Sequence, residues 1–158
     1  MWWMWWCNWP RIWSLVPAVW AKDMWEVGII LGSKSDEATM LHCTDKLDEH
    51  NITYELVVAS AHREPDKVRE WVRRGRYKGY KVIIAAAGMS AALPGVVASY
   101  TNLPVIGVPM KSNLDYWDSL LSISQMPSGV PVACMSVGKA GAINAALFAI
   151  RILNIKNG

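Results

Sequence analysis

Residues 60–63 bring a hydroxyl, an imidazole and a guanidinium together within four positions of the chain. Ser60, His62 and Arg63 follow an apolar, β-branched run at 54–58 and precede a charged segment with helical spacing. An imidazole can move protons near neutral pH, and a guanidinium binds phosphate through a planar fork. A strand that enters a helix through a short polar turn places that turn at the carboxyl edge of a parallel sheet, where open α/β folds bind ligands. The alternative is a simple turn in which Ser60 caps the helix and the other two residues face solvent.

Two further strand ends carry residues that suit ligand binding. The residues after the first apolar run are Gly32, Ser33, Ser35 and Asp36. They open a helix, where exposed N–H groups and the helix dipole attract an anion, and Asp36 can accept protons from ribose hydroxyls. A later apolar run ends in a loop that contains Gly88, whose backbone N–H groups can hold a small carboxylate. Together the three turns suit a phosphorylated sugar with a reactive ring.

Alternating strands and helices are predicted from Glu26 onward. Apolar runs predict strands at 27–31, 54–58, 81–87, 104–108 and 130–137. Helical spacing predicts helices at about 33–50, 65–78, 96–100 and 114–125, and a last helix after the fifth strand. In the fourth helix one side is formed by Trp117, Leu120, Leu121 and Ser124. The last helix has a stripe of Ile143, Leu147, Ile150 and Leu153, and its Ala142, Ala145, Ala146 and Ala149 allow another backbone to approach closely. Strands that are apolar throughout indicate a parallel sheet covered on both faces, hence a three-layer α/β/α sandwich.

The composition indicates one domain, predicted over 26–158, preceded by a distinct segment at 1–25. With 18% charged residues and a net charge of +3, nothing calls for a nucleic acid or a membrane surface as partner. The three cysteines are far apart and lack metal-ligand spacing, which favours a reducing, cytoplasmic compartment and no metal site. Segment 1–25 is rich in Trp at helical spacing but is broken by Pro10 and Pro17, which argues against a membrane span. We expect it to pack on this domain or on a neighbouring subunit, with an interfacial membrane anchor as the alternative.

Five segments occur in an order that is far more specific than any one of them. They are 32–36 (GSKSD), 60–66 (SAHREPD), 92–95 (ALPG), 104–109 (PVIGVP) and 118–127 (DSLLSISQMP). The combination closely resembles the N5-carboxyaminoimidazole ribonucleotide mutase family of purine biosynthesis, the PurE proteins, over about residues 26–155. The resemblance implies a flavodoxin-like subunit in a homo-octamer whose active sites are built from adjoining subunits. It also implies an isomerase that needs neither metal nor organic cofactor and moves a carboxylate from the exocyclic nitrogen of its ribonucleotide substrate to a ring carbon.

Matching positions imply a role for each residue of the site. His62 resembles the proton-transfer residue and Asp36 the ribose ligand. The residues that resemble phosphate ligands are Ser35, Ser60 and Arg63, and Ala61 is expected to contact substrate in the same turn. Ser33 and the loop 87–93 resemble the family's binding site for the migrating carboxylate. The expected substrate-binding positions in that loop are Ala87, Gly88, Ala92 and Leu93.

The loop 87–93 departs from the usual family pattern. Ala92 occupies the position of a second His, and Met89 and Ser90 stand in a stretch that is commonly rich in Gly. His62 is therefore the only imidazole of the predicted site. Two alternatives stay open. One is the sister carboxylase that uses free carbon dioxide, whose loop has Arg-Ser-Asn where this chain has Met-Ser-Ala at 89–91. The other is a non-catalytic assembly or nucleotide-binding protein, natural or engineered, on the same fold.

Overall fold

The computed structural model describes residues 25–155, so the Trp-rich segment lies outside the described residues except for Trp25. Within them the strands are β1 (Val27–Leu31), β2 (Tyr54–Val58), β3 (Val82–Ala87), β4 (Val105–Pro109) and β5 (Ala133–Cys134). The α-helices are α1 (Glu37–Glu49), α2 (Pro65–Lys78), α3 (Leu93–Tyr100), α4 (Trp117–Ser124) and α5 (Gly138–Asn154), and a 3-10 helix (Lys34–Asp36) precedes α1. All strand pairs are parallel, in the order β2-β1-β3-β4-β5. This order confirms the predicted flavodoxin-like parallel sheet.

Two hydrophobic clusters cover the two faces of the sheet. Ile29 and Leu31 of β1 pack in one cluster with α1 and α5, whereas Ile30 packs in the other with α2, α3 and α4. Because side chains alternate along a strand, a strand that is buried on both faces must be apolar at every position. The predicted three-layer α/β/α sandwich is therefore confirmed.

The ends of α2 follow from two residues that restrict the backbone. Pro65 lies in the first turn of the helix, where its missing N–H has no intrahelical partner to lose. Gly79 takes the left-handed conformation, with φ of 91°, and ends the helix with hydrogen bonds from its N–H to carbonyls of the last turn. Both ends agree with the sequence prediction.

Helix α5 uses small residues to pack closely on the rest of the domain. Ala142, Ala145, Ala146 and Ala149 are completely buried, and α5 lies against both α1 and the sheet. Ile143 and Leu147 of the predicted apolar stripe are only half-buried. The prediction that the alanines permit close approach of another backbone is confirmed, and these alanines form more of the buried face than the larger stripe does.

Helix α4 is shorter than predicted, and it buries a different side from the one that the sequence pattern picked out. It begins at Trp117 rather than at 114, because Asp115 and Tyr116 have φ values of 49° and 77°, which no right-handed helix contains. Its buried residues are Ser119 and Ile123, whereas Trp117 is 67% exposed and Leu121 is 48% exposed. The side formed by Trp117, Leu120, Leu121 and Ser124 is therefore not the side that the single chain buries.

The fifth strand and the third helix also differ in length from their predictions. The predicted strand 130–137 shortens to Ala133–Cys134, which pair only with Ile106 and Gly107 at the edge of the sheet. Pro131 cannot donate to a ladder, which limits extension toward the amino end. Helix α3 begins at Leu93, three residues before the predicted start, with Pro94 in its first turn. No helix within residues 25–155 is long and apolar enough to cross a membrane.

Candidate active site

A cleft of about 540 Å³ lies at the carboxyl edge of the sheet. It is formed by the segments that follow β1, β2, β3 and β4. Every residue predicted to contact or act on substrate lines it: Ser33, Ser35, Asp36, Ser60, Ala61, His62, Arg63, Ala87, Gly88, Ala92 and Leu93. The other lining residues are Gly32, Met89, Ser90, Ala91 and Lys111. The structure thus brings the three predicted turns together, while the role of each residue stays a prediction.

The segment after β1 places two hydroxyls and a carboxylate on one short turn. Ser33 Oγ accepts the N–H of Ser35 at 3.3 Å and lies 2.8 Å from Ser35 Oγ, which is 3.4 Å from the Asp36 carboxylate. The turn leads directly into α1, whose first amide groups and dipole favour an anion. Burial raises the pKa of the Asp36 carboxyl, and hydrogen bonds from Ser35 and the backbone at Ser33 oppose that shift.

The segment after β2 is a compact turn that presents His62 and Arg63 outward. Ser60 is buried, its carbonyl accepts the Glu64 N–H at 2.8 Å, and its hydroxyl accepts the Arg63 N–H at 3.4 Å. Lys67 bonds the Val58 carbonyl at 2.9 Å and the Glu64 carboxylate at 3.1 Å, so α2 is fastened to the end of the strand. The hydrogen bond from Lys67 holds the pKa of the Glu64 carboxyl below its usual value. Ser60 therefore shapes the turn and lines the cleft, but it does not cap α2, whose N-cap residue is Glu64.

The segment after β3 lines the cleft and leaves two of its backbone amides unpaired within residues 25–155. The N–H groups of Ala91 and Ala92 bond to carbonyls within the loop, at 2.8 and 2.6 Å. Those of Met89 and Ser90 have no hydrogen-bond partner within residues 25–155, which leaves two donors for a ligand. Met89 adopts φ of 57°, a left-handed conformation that costs a non-glycine residue about 1–2 kcal/mol. A glycine-rich loop would adopt that conformation without this cost.

Lys111 is the charged residue of the cleft that the sequence analysis missed. It follows β4 at the same edge of the sheet, so the strand-end rule that identified the other turns applies to it equally. Its backbone carbonyl lies 3.0 Å from the position that a Cβ would occupy on Gly88. Neither Lys111 nor Arg63 forms a salt bridge within the part of the chain that the structure describes.

The arrangement suits an anionic ligand that undergoes proton transfer. Two cations, several hydroxyls and free amides can hold a phosphate and a carboxylate, while one imidazole is available to move a proton. No group of three or more His, Cys, Asp or Glu side chains within residues 25–155 could hold a metal ion. Since the residues of the cleft supply anion binding and proton transfer, acid–base chemistry on a phosphorylated substrate is the reaction class they support best.

Comparison with known proteins gives the same family as the motifs. Residues 26–158 match the sequence model described as AIR carboxylase. The N5-carboxyaminoimidazole ribonucleotide mutase of Bacillus subtilis is 59% identical over 129 residues, which cover 81% of this chain and 80% of that protein. The mutase of Pyrococcus horikoshii is 52% identical over 131 residues, which cover 82% of this chain and 73% of that protein. The crystal structure of Treponema denticola PurE superposes with a TM-score of 0.72 at 30% identity, over 82% of this chain and 80% of that chain. The resemblance seen in the five segments is thereby confirmed, and the chain belongs to the PurE (AIR carboxylase) family.

Proposed function

We propose that this chain is an N5-carboxyaminoimidazole ribonucleotide mutase, an isomerase of purine biosynthesis. The observation that carries the proposal is that Ser35, His62 and Arg63, which come from two separate turns, line one cleft. Relatives that are 47–59% identical over most of this chain bear the name of that enzyme. The substrate is a ribonucleotide with a carboxylate on its exocyclic nitrogen, and the product has that carboxylate on a ring carbon.

Each side of the cleft receives one part of the substrate. The phosphate lies against Ser35, Ser60 and Arg63, because hydroxyls and a guanidinium near a helix start favour a dianion. Asp36 accepts hydrogen bonds from the ribose hydroxyls. The migrating carboxylate lies near Ser33 and the loop 87–93, where the unpaired amides of Met89 and Ser90 are available as hydrogen-bond donors to an anion. Ala61, Ala87, Gly88, Ala92 and Leu93 form the remaining contact surface.

A single imidazole is sufficient for this reaction because an isomerisation has no net proton change. Cleavage of the bond between nitrogen and carboxylate releases carbon dioxide, and the nitrogen receives a proton from protonated His62. The ring carbon then attacks the carbon dioxide, and neutral His62 removes the proton from that carbon, which restores aromaticity. His62 ends in the protonation state in which it began. The cleft keeps the carbon dioxide beside the ring between the two steps, which is a proximity effect.

Exposed apolar side chains and a buried thiol bear on the assembly and the location of this enzyme. Self-association is supported by large apolar side chains that a single chain leaves exposed, such as Trp117 and Leu121, and the family resemblance implies a homo-octamer. An enzyme of purine biosynthesis with a buried reduced Cys43 fits the cytoplasm. The Trp-rich segment 1–25 is proposed as a separate element that packs on this domain or on a neighbouring subunit.

The test replaces His62 by Asn and follows conversion of the carboxylated ribonucleotide. His62 is exposed and forms no hydrogen bond within residues 25–155, so the variant should fold and bind nucleotide normally. Turnover should fall by about 10²–10⁴-fold, the usual contribution of a general acid–base group. His50→Asn is the matched control, because His50 is exposed at the end of α1 and lies outside the cleft.

Near-normal turnover by His62→Asn would remove His62 from its role. Incubation with the uncarboxylated ribonucleotide and bicarbonate separates the mutase from the carboxylase, since only the latter would form product at a comparable rate from that pair. A wild-type protein that binds nucleotide but converts neither substrate would be the non-catalytic alternative.

A further inference from the structure

Lys111 occupies a fixed backbone position although its side chain is free. Immediately before it, the Met110 N–H donates to the Ala87 carbonyl at 2.9 Å, and the Met110 carbonyl accepts the Ser119 hydroxyl at 2.8 Å. Immediately after it, the Ser112 hydroxyl donates to the Asp118 carboxylate. Met110 itself is 2% exposed and belongs to the core. The segment is therefore anchored on both sides, which is the arrangement needed to present one side chain reproducibly.

The charge of Lys111 is not used elsewhere in the described structure. The residue is exposed, lines the cleft, and has no ion-pair or hydrogen-bond partner for its ammonium within residues 25–155. Several other lysines do have such partners, for example Lys67 with Glu64 and Lys81 with Glu26. An unpaired ammonium at the wall of a cleft provides a charge for an anionic ligand.

The position of Lys111 is suited to one particular anion. Its carbonyl lies against Gly88, at the start of the loop 87–93, whereas Arg63 belongs to the turn after β2. The substrate carries a phosphate and a carboxylate at opposite ends, so two cations on different strand ends can neutralise them separately. Ala92 in this loop offers no side-chain donor, whereas Lys111 is a cationic residue that lines the cleft and follows β4, the strand paired with β3.

We propose that Lys111 binds the migrating carboxylate and sets the preference of the cleft for carboxylated over uncarboxylated ribonucleotide. This inference rests on the proposed function. A charge-assisted hydrogen bond from the ammonium holds the carboxylate beside the free amides of the loop. Because the uncarboxylated nucleotide lacks that group, it gains nothing from Lys111 beyond a general electrostatic attraction.

The experiment compares the binding of two nucleotides by calorimetry. The probes are 4-carboxy-5-aminoimidazole ribonucleotide, which is the reaction product, and 5-aminoimidazole ribonucleotide, which lacks the carboxylate. Lys111→Gln should weaken binding of the first by about 10- to 100-fold, the range expected for loss of a hydrogen bond to a charged group. Binding of the second should change by less than about threefold, as expected for a mostly screened charge. Lys111→Arg keeps the charge and should retain most of the preference.

Lys139→Gln is the matched control, since Lys139 is exposed in the first turn of α5 and does not line the cleft. Equal weakening of both nucleotides by Lys111→Gln would overturn the inference, because loss of a direct bond to the carboxylate must weaken the nucleotide that carries this group more than the one that lacks it. Unchanged binding of both would overturn it as well. If the wild-type protein bound neither nucleotide, the proposed function itself would fail. If the wild-type protein were active and Lys111→Gln left the binding of both nucleotides unchanged, only the inference on Lys111 would fail.

Discussion

A matched pair of glycine substitutions tests how tightly the cleft is packed between β3 and β4. A Cβ on Gly88 would lie 3.0 Å from the Lys111 carbonyl and 3.5 Å from Met110 Cβ. The first distance is shorter than an ordinary van der Waals contact, and it is to a backbone atom that is held in place. A Cβ on Gly32, at the other side of the same cleft, would lie 3.5 Å from Ala87 Cβ and no closer to anything else. Neither glycine has a φ in the left-handed region, so alanine is conformationally allowed at both positions.

Two contributions to the free energy of unfolding decide the expected difference in stability. Both substitutions lower the entropy of the unfolded chain, but only one of them overpacks the folded protein. Replacing glycine by alanine reduces the entropy of the unfolded chain and stabilises the protein by about 0.4–1 kcal/mol in both variants. Only Gly88→Ala adds overpacking, which typically costs about 1–3 kcal/mol. The Lys111 carbonyl cannot move away easily, because the adjacent Met110 is fixed to Ala87 and Ser119. Gly88→Ala should therefore be less stable than Gly32→Ala by about 1–3 kcal/mol.

Urea unfolding measures this difference directly, as a shift in midpoint at an unchanged slope. The comparison is made at several protein concentrations, because association of subunits would make the midpoint depend on concentration. We expect Gly32→Ala to unfold at or slightly above the wild-type midpoint and Gly88→Ala below it. If Gly88→Ala is as stable as Gly32→Ala, the segment at Lys111 yields freely, and the packing argument for a fixed Lys111 is refuted.

The pKa shifts give two further predictions. Since burial raises the pKa of Asp36, the folded state binds a proton more tightly than the unfolded state, and this contribution to stability is present at low pH and lost as the pH rises through the folded pKa. Asp36→Asn should therefore gain stability relative to wild type as the pH is raised from 4 to 7, while its affinity for the ribonucleotide falls; a stability difference that does not vary with pH would contradict this. Burial also raises the pKa of the Cys43 thiol to about 12, so iodoacetamide at about pH 8 should leave Cys43 unlabelled in the folded protein and label it in urea. Peptide mass spectrometry distinguishes Cys43 from the half-buried Cys134, and rapid labelling of Cys43 in the native protein would be inconsistent with its burial.

The regular part of the fold could be predicted because each signal was local. The strand predicted at 54–58 has the same limits in the structure, and β1 has the predicted limits as well. A run of apolar residues between turn signals is sufficient to define a strand that is buried on both faces. Pro65 and Gly79 similarly define the ends of α2 through their own backbone restrictions.

The errors arose where a distant contact decides the local structure. Ser119 was not assigned to the buried face of α4, yet its hydroxyl bonds to the Met110 carbonyl at 2.8 Å and brings that side of the helix to the sheet. The left-handed conformations of Asp115 and Tyr116 shorten the helix. Asp is one of the few non-glycine residues that adopt this conformation, but Tyr is not, so the residue types alone did not predict the break. The exposure of Trp117 shows that apolar character alone does not identify the side of a helix that meets its own domain.

The position of the cleft depends on strand order, which no local pattern contains. Local patterns predict that three turns reach the carboxyl edge, and the register aligns Leu31 with both Val58 and Ala86, so the turns begin at the same level. The three turns become neighbours because β1 lies between β2 and β3 in the sheet. From β1 the chain adds β2 on one side, and from β3 it adds β4 and β5 on the other. That is the topological switch point, where the segments following adjacent strands diverge and leave a crevice. The order came from the family resemblance rather than from periodicity. Applied to the observed order, the same rule adds the end of β4, beside β3, and so accounts for Lys111 at the wall of the cleft.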